Sequence, residues 1–257
     1  IKREVIWIGE TYHHARLMID RTGPVVKARD DSGAWQVLNR HLPVFDSMLA
    51  RSSDPILAPE AWALREHIRS WRFYDQFRTD RDAPSRQAQI GTRTPVLHHD
   101  GRDLPAAWQT ITEIGDQEGL DRVLEDAFPG AEVRIERDQG RFSLKFHQRG
   151  LLRPLDQWEL SDGTLRYLCL AAALLTPRPP TLMILNEPET SLHPELLPAL
   201  ARLMLRAAAS TQLWVTSHSD VLISLLQEQP ACNHLRLTKR LERAGIPGLN
   251  VAVIRRR

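Results

Sequence analysis

Residues 159–219 constrain the fold of this chain more than any other stretch. Two short, mostly apolar runs, residues 181–185 and 212–216, each stop at a polar cluster: Asn186-Glu187-Pro188-Glu189 and Ser217-His218-Ser219. Helical spacing fills the gaps. Leu165, Leu168, Ala172 and Leu175 make one apolar stripe behind Leu160-Ser161-Asp162-Gly163-Thr164, and Pro194 opens a second helix over residues 194–209. Apolar runs of this length between helices predict buried strands of a parallel sheet, covered on both faces. Such sheets hold ligands at the carboxyl ends of their strands. Asn186, Glu187 and His218 are thus predicted at strand tips, and Ser161 as the cap of a helix.

The rest of the chain divides by pattern. Residues 4–8, 15–20, 25–30 and 34–38 read as short strands, with Asp31-Ser32-Gly33 as a hairpin turn. Residues 58–77 read as one helix carrying Trp62, Ile68, Trp71, Phe73, Tyr74 and Phe77. Residues 79–103 are polar and rich in Arg, Asp, Pro and Gly, which predicts a long, functional or mobile loop. Two helices follow over residues 105–128, broken near residues 115–119, and then a hairpin of residues 132–136 and 142–146 around residues 138–140. After residue 163 the expected order is helix, strand, helix, strand, helix (residues 220–227), with two weaker strands near 234–237 and 250–254.

Composition sets outer limits. With 42% hydrophobic and 26% charged residues the chain can bury a core, which excludes a disordered or fibrous protein. A net charge of +2 neither demands nor excludes a nucleic-acid partner. Of 34 basic residues only Lys2, Lys27, Lys145 and Lys239 are lysines. Arginine binds phosphate well, but genome composition gives the same bias. Cys169 and Cys232 form no C-x-x-C pair and read as reduced thiols, the pattern of a cytoplasmic protein. No apolar run approaches the length of a membrane span.

Three weaker signals have ordinary readings. Adjacent histidines point apart, so His98-His99-Asp100 reads as a solvated loop and His13-His14 as surface. The aromatics of residues 62–77 alternate with Arg65, Arg69, Arg72 and Arg78, either a packed helix with solvated arginines or a face for nucleic acid. Arg255-Arg256-Arg257 carries little information.

No G-x-x-x-x-G-K-S/T phosphate loop occurs in the 257 residues. Such a loop needs glycines for backbone N–H donors and a lysine for the β- and γ-phosphates. Two expectations stand side by side. The strand-like start at Ile1 favours a strand–loop–helix unit upstream of it; the alternative is a partial ATPase that cannot cradle phosphates itself.

The order and spacing of the three polar clusters resemble the C-terminal half of an ABC-type ATPase domain, in the branch of RecF-like and SMC-like proteins and bacterial predicted AAA-family ATPases. The resemblance is strong over roughly residues 155–225 and loose before them; it extends to Gly91-Thr92-Arg93-Thr94-Pro95-Val96-Leu97-His98-His99-Asp100-Gly101, with no role attached. It implies an α/β fold: a RecA-like P-loop NTPase lobe with an antiparallel β portion and an inserted helical lobe. Residues 1–257 would form one such domain, with a β-rich part (1–50), a helical lobe and loop (51–130), and a lobe (131–257) carrying the signature, Walker B and H-loop.

It also implies roles. Asn186 stands where an Asp usually helps hold Mg²⁺ through water; an amide can accept that hydrogen bond but lacks the charge. Glu187 would position or deprotonate the attacking water. His218 would hydrogen-bond the γ-phosphate. Ser161, Asp162, Gly163 and Thr164 resemble the signature motif, which contacts ATP held by a second subunit; the helix start offers an anion site, and Gly163 admits a close phosphate. Thr190, Ser191 and His193 lie in the D-loop, which crosses the dimer interface. The implied activity is hydrolysis of ATP with Mg²⁺, coupled to a homodimer closed around ATP, with DNA and an effector protein as possible partners in repair, maintenance or phage defence. Two alternatives are a nucleotide-dependent dimerisation module that hydrolyses nothing, and the ATPase half of a toxin or nuclease system.

Overall fold

In the computed structural model the described residues are 1–52, 54–237 and, for the backbone alone, 249–254. Arg255-Arg256-Arg257 and Lys239 lie outside them. The chain forms two compact units, residues 1–71 and 72–257.

The first unit is a four-stranded antiparallel sheet in chain order, β1 (Arg3–Trp7), β2 (Leu17–Thr22), β3 (Val25–Arg29) and β4 (Trp35–Asn39), followed by α1 (Met48–Arg51) and α2 (Pro59–Ser70). Alternation works as period-two patterning requires: Leu17 and Ile19 on β2, and Val26 and Ala28 on β3, are buried. Ile19, Val26 and Ala28 cluster with Leu42, Met48, Ala58 and Ala61. Arg21 interrupts the pattern. Its side chain is fully buried, 2.6 Å from Glu4 Oε2, and it donates to the carbonyls of Gly23, Pro43 and Asp46. Glu4 in turn accepts from Ser47 Oγ and the Met48 N–H, so one ion pair ties β1 and β2 to the start of α1. Glu4→Ala leaves that guanidinium buried without its counter-charge, and we expect a loss of about 3–5 kcal/mol, read as a lower urea midpoint.

The second unit holds two sheets. The larger contains β5 (Arg72–Tyr74), β10 (Leu182–Asn186), β11 (Gln212–Ser217), β12 (Cys232–Leu237) and β13 (Leu249–Ile254) in the order β12-β13-β11-β10-β5. β10 runs parallel to both β11 and β5, while β13 is antiparallel to β11 and β12. The smaller sheet is antiparallel: β8 (Arg141–Gln148) pairs β7 (Ala131–Asp138), β6 (Gln89–Ile90) and β9 (Leu155–Asp156). Helices α3 (Leu104–Ile114), α4 (Gln117–Ala127), α5 (Asp162–Leu174), α6 (Leu197–Ala207) and α7 (Asp220–Gln227) complete it. The fold is α/β, with an antiparallel β portion, as expected.

α5 lies at the centre of the core. Leu165 to Leu174 are all buried, as in a helix that is apolar on every face. Tyr167 packs edge-on against Phe128, which packs edge-on against Phe146 of β8. Burial on α5 pushes the Cys169 thiol up, so it stays a protonated, inert thiol; Cys232 is free as well.

One expected element is corrected. Residues 58–77 are not a single helix. α2 ends at Ser70, and Arg72–Tyr74 is a strand paired in parallel with Met183–Leu185 of β10. Tyr74 and Phe77 enter the core while Phe73 is exposed, so the aromatic and basic residues of 62–78 make no continuous helical face. The strand of residues 181–185 is parallel as expected, but its burial alternates: Met183 and Leu185 are buried, Leu182 and Ile184 half-buried.

Candidate functional site

The parallel strands β10 and β11 end in register, with Asn186 opposite Thr216. Just past β10 the chain turns through Glu187, whose φ is 43°. That left-handed conformation costs a non-glycine residue on the order of 1–3 kcal/mol, so neighbouring bonds must hold it. Two do. The Glu187 N–H donates to the Thr216 carbonyl at 2.9 Å, and the buried Arg166 of α5 donates from Nη2 to the Glu187 carbonyl at 2.9 Å. Burial holds the Arg166 guanidinium below its ordinary range; the nearby carboxylates of Glu189 and Glu187 act in the opposite sense.

The turn aims the Glu187 carboxylate at the end of β11. His218 Nε2 is 3.2 Å from Glu187 Oε1, and both side chains are about half open to solvent. Two residues singled out in the sequence, 31 positions apart by number, thus meet at one point on the sheet edge. Thr190 Oγ1 donates to the other carboxylate oxygen over a long 3.5 Å.

Glu189 organises the second tip. Its Oε1 accepts from Ser217 Oγ at 2.6 Å, from the His218 N–H at 2.9 Å and from the Ser219 N–H at 3.2 Å. Ser219 Oγ then caps α7 by accepting from the Leu222 N–H. Asn186 is engaged at both ends of its amide. Nδ2 donates to Asp75 Oδ1 at 2.7 Å, and Oδ1 accepts from Thr216 Oγ1. Beside the His218 imidazole, the groups gathered at these strand ends are carboxylate, amide and hydroxyl oxygens, a mostly hard set that fits Mg²⁺.

The turn before α5 faces outward. Ser161 caps the helix, accepting from the Thr164 N–H at 3.1 Å, and Ser161 and Asp162 are exposed. Gly163 is needed for a reason internal to the chain: a Cβ there would come within 2.7 Å of the Ser191 carbonyl oxygen. Ser191 itself has φ 65°. His193 caps the following 3₁₀ turn (Pro194–Leu196) through Nδ1, 3.4 Å from the Glu195 nitrogen. Ser161, Gly163, Thr164, Ser191 and His193 line a cleft of about 650 Å³. The turn is fixed from behind by Arg86. This guanidinium, 8% exposed, donates to the carbonyls of Thr79, Asp80, Trp158 and Leu160 and to Asp162 Oδ1 at 2.6 Å. Sequence reasoning missed Arg86 inside a polar loop, Asp75 inside an expected helix, and the bonds that Glu189 makes.

His98, His99 and Asp100 bring their potential ligand atoms within 4.8 Å of one another. His98 is already spent, however: Nδ1 lies 2.7 Å from Asp100 Oδ1, and Nε2 lies 2.5 Å from the Arg102 guanidinium. The expectation of a solvated loop with its histidines pointing apart is corrected: the two rings lie 4.1 Å apart, and His98 and Asp100 are half-buried in a hydrogen-bonded turn.

Comparison with known proteins gives the family. Residues 40–224 match the family model described as "AAA domain, putative AbiEii toxin, Type IV TA system". The chain belongs to this AAA family. No curated protein matches it significantly. Among solved structures it is similar to the Smc head domain with a coiled coil and joint from Pyrococcus yayanosii, at 15% identity and TM-score 0.43 over 57% of this chain and 27% of that one. The chain thus spans about a quarter of that protein's length. The SMC head domain from Thermotoga maritima gives 14% identity and TM-score 0.41 over 99% of this chain and 73% of that one. A third similar chain, at 15% identity and TM-score 0.43, covers 57% of this chain and 86% of its own; its structure is described as concerning ATP-driven dimerization and DNA stimulated activation of SMC ATPases. No described helix is long and apolar enough to cross a membrane.

Proposed function

We propose that the protein binds ATP with Mg²⁺, hydrolyses it to ADP and phosphate, and uses bound ATP to close two copies face to face. The observation that carries this reading is the 3.2 Å approach of His218 Nε2 to Glu187 Oε1 at adjacent strand ends. A carboxylate and an imidazole held together in a half-open notch can orient a water and accept its proton. Glu187 is the general base in this reading, and His218 contacts the γ-phosphate. Mg²⁺, when bound, neutralises charge on the phosphate oxygens. Asn186 stands on the metal side of the notch, through its amide. The reaction also needs a phosphate loop, which these 257 residues do not contain.

The dimer reading rests on the turn Ser161–Thr164, exposed at Ser161 and Asp162, and the cleft it shares with Ser191 and His193. The N-terminus of a 13-residue helix and its dipole favour an anion there, here the γ-phosphate held by a second copy. Thr190, Ser191 and His193 would meet the partner beside it.

The family description, with its type IV toxin–antitoxin system, favours a second reading of the biological role: an ATPase half that works beside a toxin or nuclease chain. DNA repair, DNA maintenance and phage defence are the processes in which such an ATPase would act. One experiment tests the core proposal. Full-length protein is mixed with ATP and Mg²⁺, and phosphate release and mass in solution are followed together. We expect steady phosphate release and an ATP-dependent doubling of mass. ATP binding without either result would leave only a nucleotide-binding module. DNA cleavage that appears solely when a partner chain is added would mark the second reading.

A further inference from the structure

Asn186 poses a charge problem for any Mg²⁺–ATP site at the end of β10, since its amide contributes no negative charge. The neighbouring strand supplies one. In the parallel pairing of β5 with β10, Tyr74 lies opposite Leu185, so the next residues of the two strands, Asp75 and Asn186, emerge side by side. Their side chains are joined: Asn186 Nδ2 donates to Asp75 Oδ1 at 2.7 Å. The amide is locked from the far side by Thr216 Oγ1, which donates to Asn186 Oδ1. Asp75 is exposed, and no cation pairs with it among the described residues. It stands at the lip of a cleft of about 700 Å³ that also includes Gln76, Leu97 and His99.

Building on the ATPase reading above, we propose that Asp75 provides the carboxylate that faces the nucleotide's divalent cation, and that Asn186 is the residue that positions it. The chemistry of the pair gives the reason for the amide. An Asp at position 186 would set two carboxylates within hydrogen-bond distance of each other, which neither could tolerate while ionised. An amide there instead gives an N–H to Asp75 and takes a hydrogen bond from Thr216, so its orientation is unique. The charge at this end of the sheet is displaced by one strand, not lost. Mg²⁺ prefers such oxygen ligands, filled out by water and phosphate.

The test uses full-length protein with ATP, and Mn²⁺ as a paramagnetic stand-in for Mg²⁺, with free Mn²⁺ read by its EPR signal. Four proteins are compared: wild type, Asp75→Asn, Asn186→Asp and the exchange Asp75→Asn/Asn186→Asp. We expect Asp75→Asn to weaken nucleotide-dependent Mn²⁺ retention roughly 10–100-fold. Asn186→Asp alone should fail to tighten it, and the exchange should recover most of the loss, because it restores one carboxylate and one amide with places reversed. Recovery in the exchange also shows that neither new residue by itself prevents folding. Unchanged Mn²⁺ retention in Asp75→Asn, or tighter retention in Asn186→Asp alone, overturns this inference and leaves the ATPase reading intact. A wild-type protein that retains no Mn²⁺ with ATP overturns both.

Discussion

Glu187→Gln should bind ATP as the wild type does and release phosphate about 10²–10⁴-fold more slowly, the range that general-base catalysis contributes. The substitution removes one thing. Glutamine has the shape of glutamate, and the turn at position 187 is held by main-chain bonds to the Thr216 carbonyl and from Arg166, which the new side chain leaves untouched. Thr190 Oγ1 can still donate to the amide oxygen. What disappears is the carboxylate that faces His218 Nε2 and can accept a proton from water. With hydrolysis blocked and ATP bound, the dimer should accumulate and not dissociate. The measurement is phosphate release beside ATP affinity, with mass in solution as the second readout. A merely structural Glu187 would lose ATP affinity and turnover together. Undiminished phosphate release would remove Glu187 from the reaction altogether.

Why some of this was legible in the sequence and some was not is a matter of range. The strand β10, the cap of α5 at Ser161 and the whole of α7 are local: an apolar run, a hydroxyl before a helix, a helical stripe. Each element carries its own signal within about ten residues, and the meeting of Glu187 and His218 follows once two such strands lie parallel. Arg72–Tyr74 fails the same approach. Three residues hold too little pattern, and Trp71, Phe73, Tyr74 and Phe77 fit a helical spacing as readily as a strand. Only pairing with β10, more than a hundred positions away, decides the matter, and Asp75 was hidden with it. Arg86 was hidden for a like reason. In the sequence it is one arginine in a polar loop; in the fold it binds the carbonyls of Trp158 and Leu160 and the carboxylate of Asp162. Gly163 is a third instance. The expectation was room for a phosphate, and the close neighbour in the fold is the chain's own Ser191 carbonyl.

Glu189→Gln should lower turnover through His218 while leaving ATP affinity near that of the wild type. One carboxylate oxygen of Glu189 receives three donors from Ser217, His218 and Ser219, and so it sets the direction in which the His218 ring leaves β11. Hydrogen bonds to an ionised acceptor are about twice as strong as neutral ones, and the glutamine oxygen keeps the geometry at reduced strength. Glu189→Ala goes further, because the His218 N–H and the buried Ser217 hydroxyl lose their acceptor, while the Ser219 N–H keeps Ser217 Oγ at 3.0 Å. Each unsatisfied group costs roughly 1–3 kcal/mol when water cannot reach it, and the half-open position of His218 brings the total toward the lower end. The order of activity should therefore run wild type, Gln, Ala, with thermal stability falling mainly in the last. The decisive comparison adds His218→Ala. If Glu189 acts by aiming His218, removing the ring first makes Glu189→Gln nearly silent, a strong departure from additivity between two residues in contact. Independent, multiplying losses in kcat would instead mean that Glu189 affects the reaction by a route other than His218, and its bonds to residues 217–219 would be packing alone.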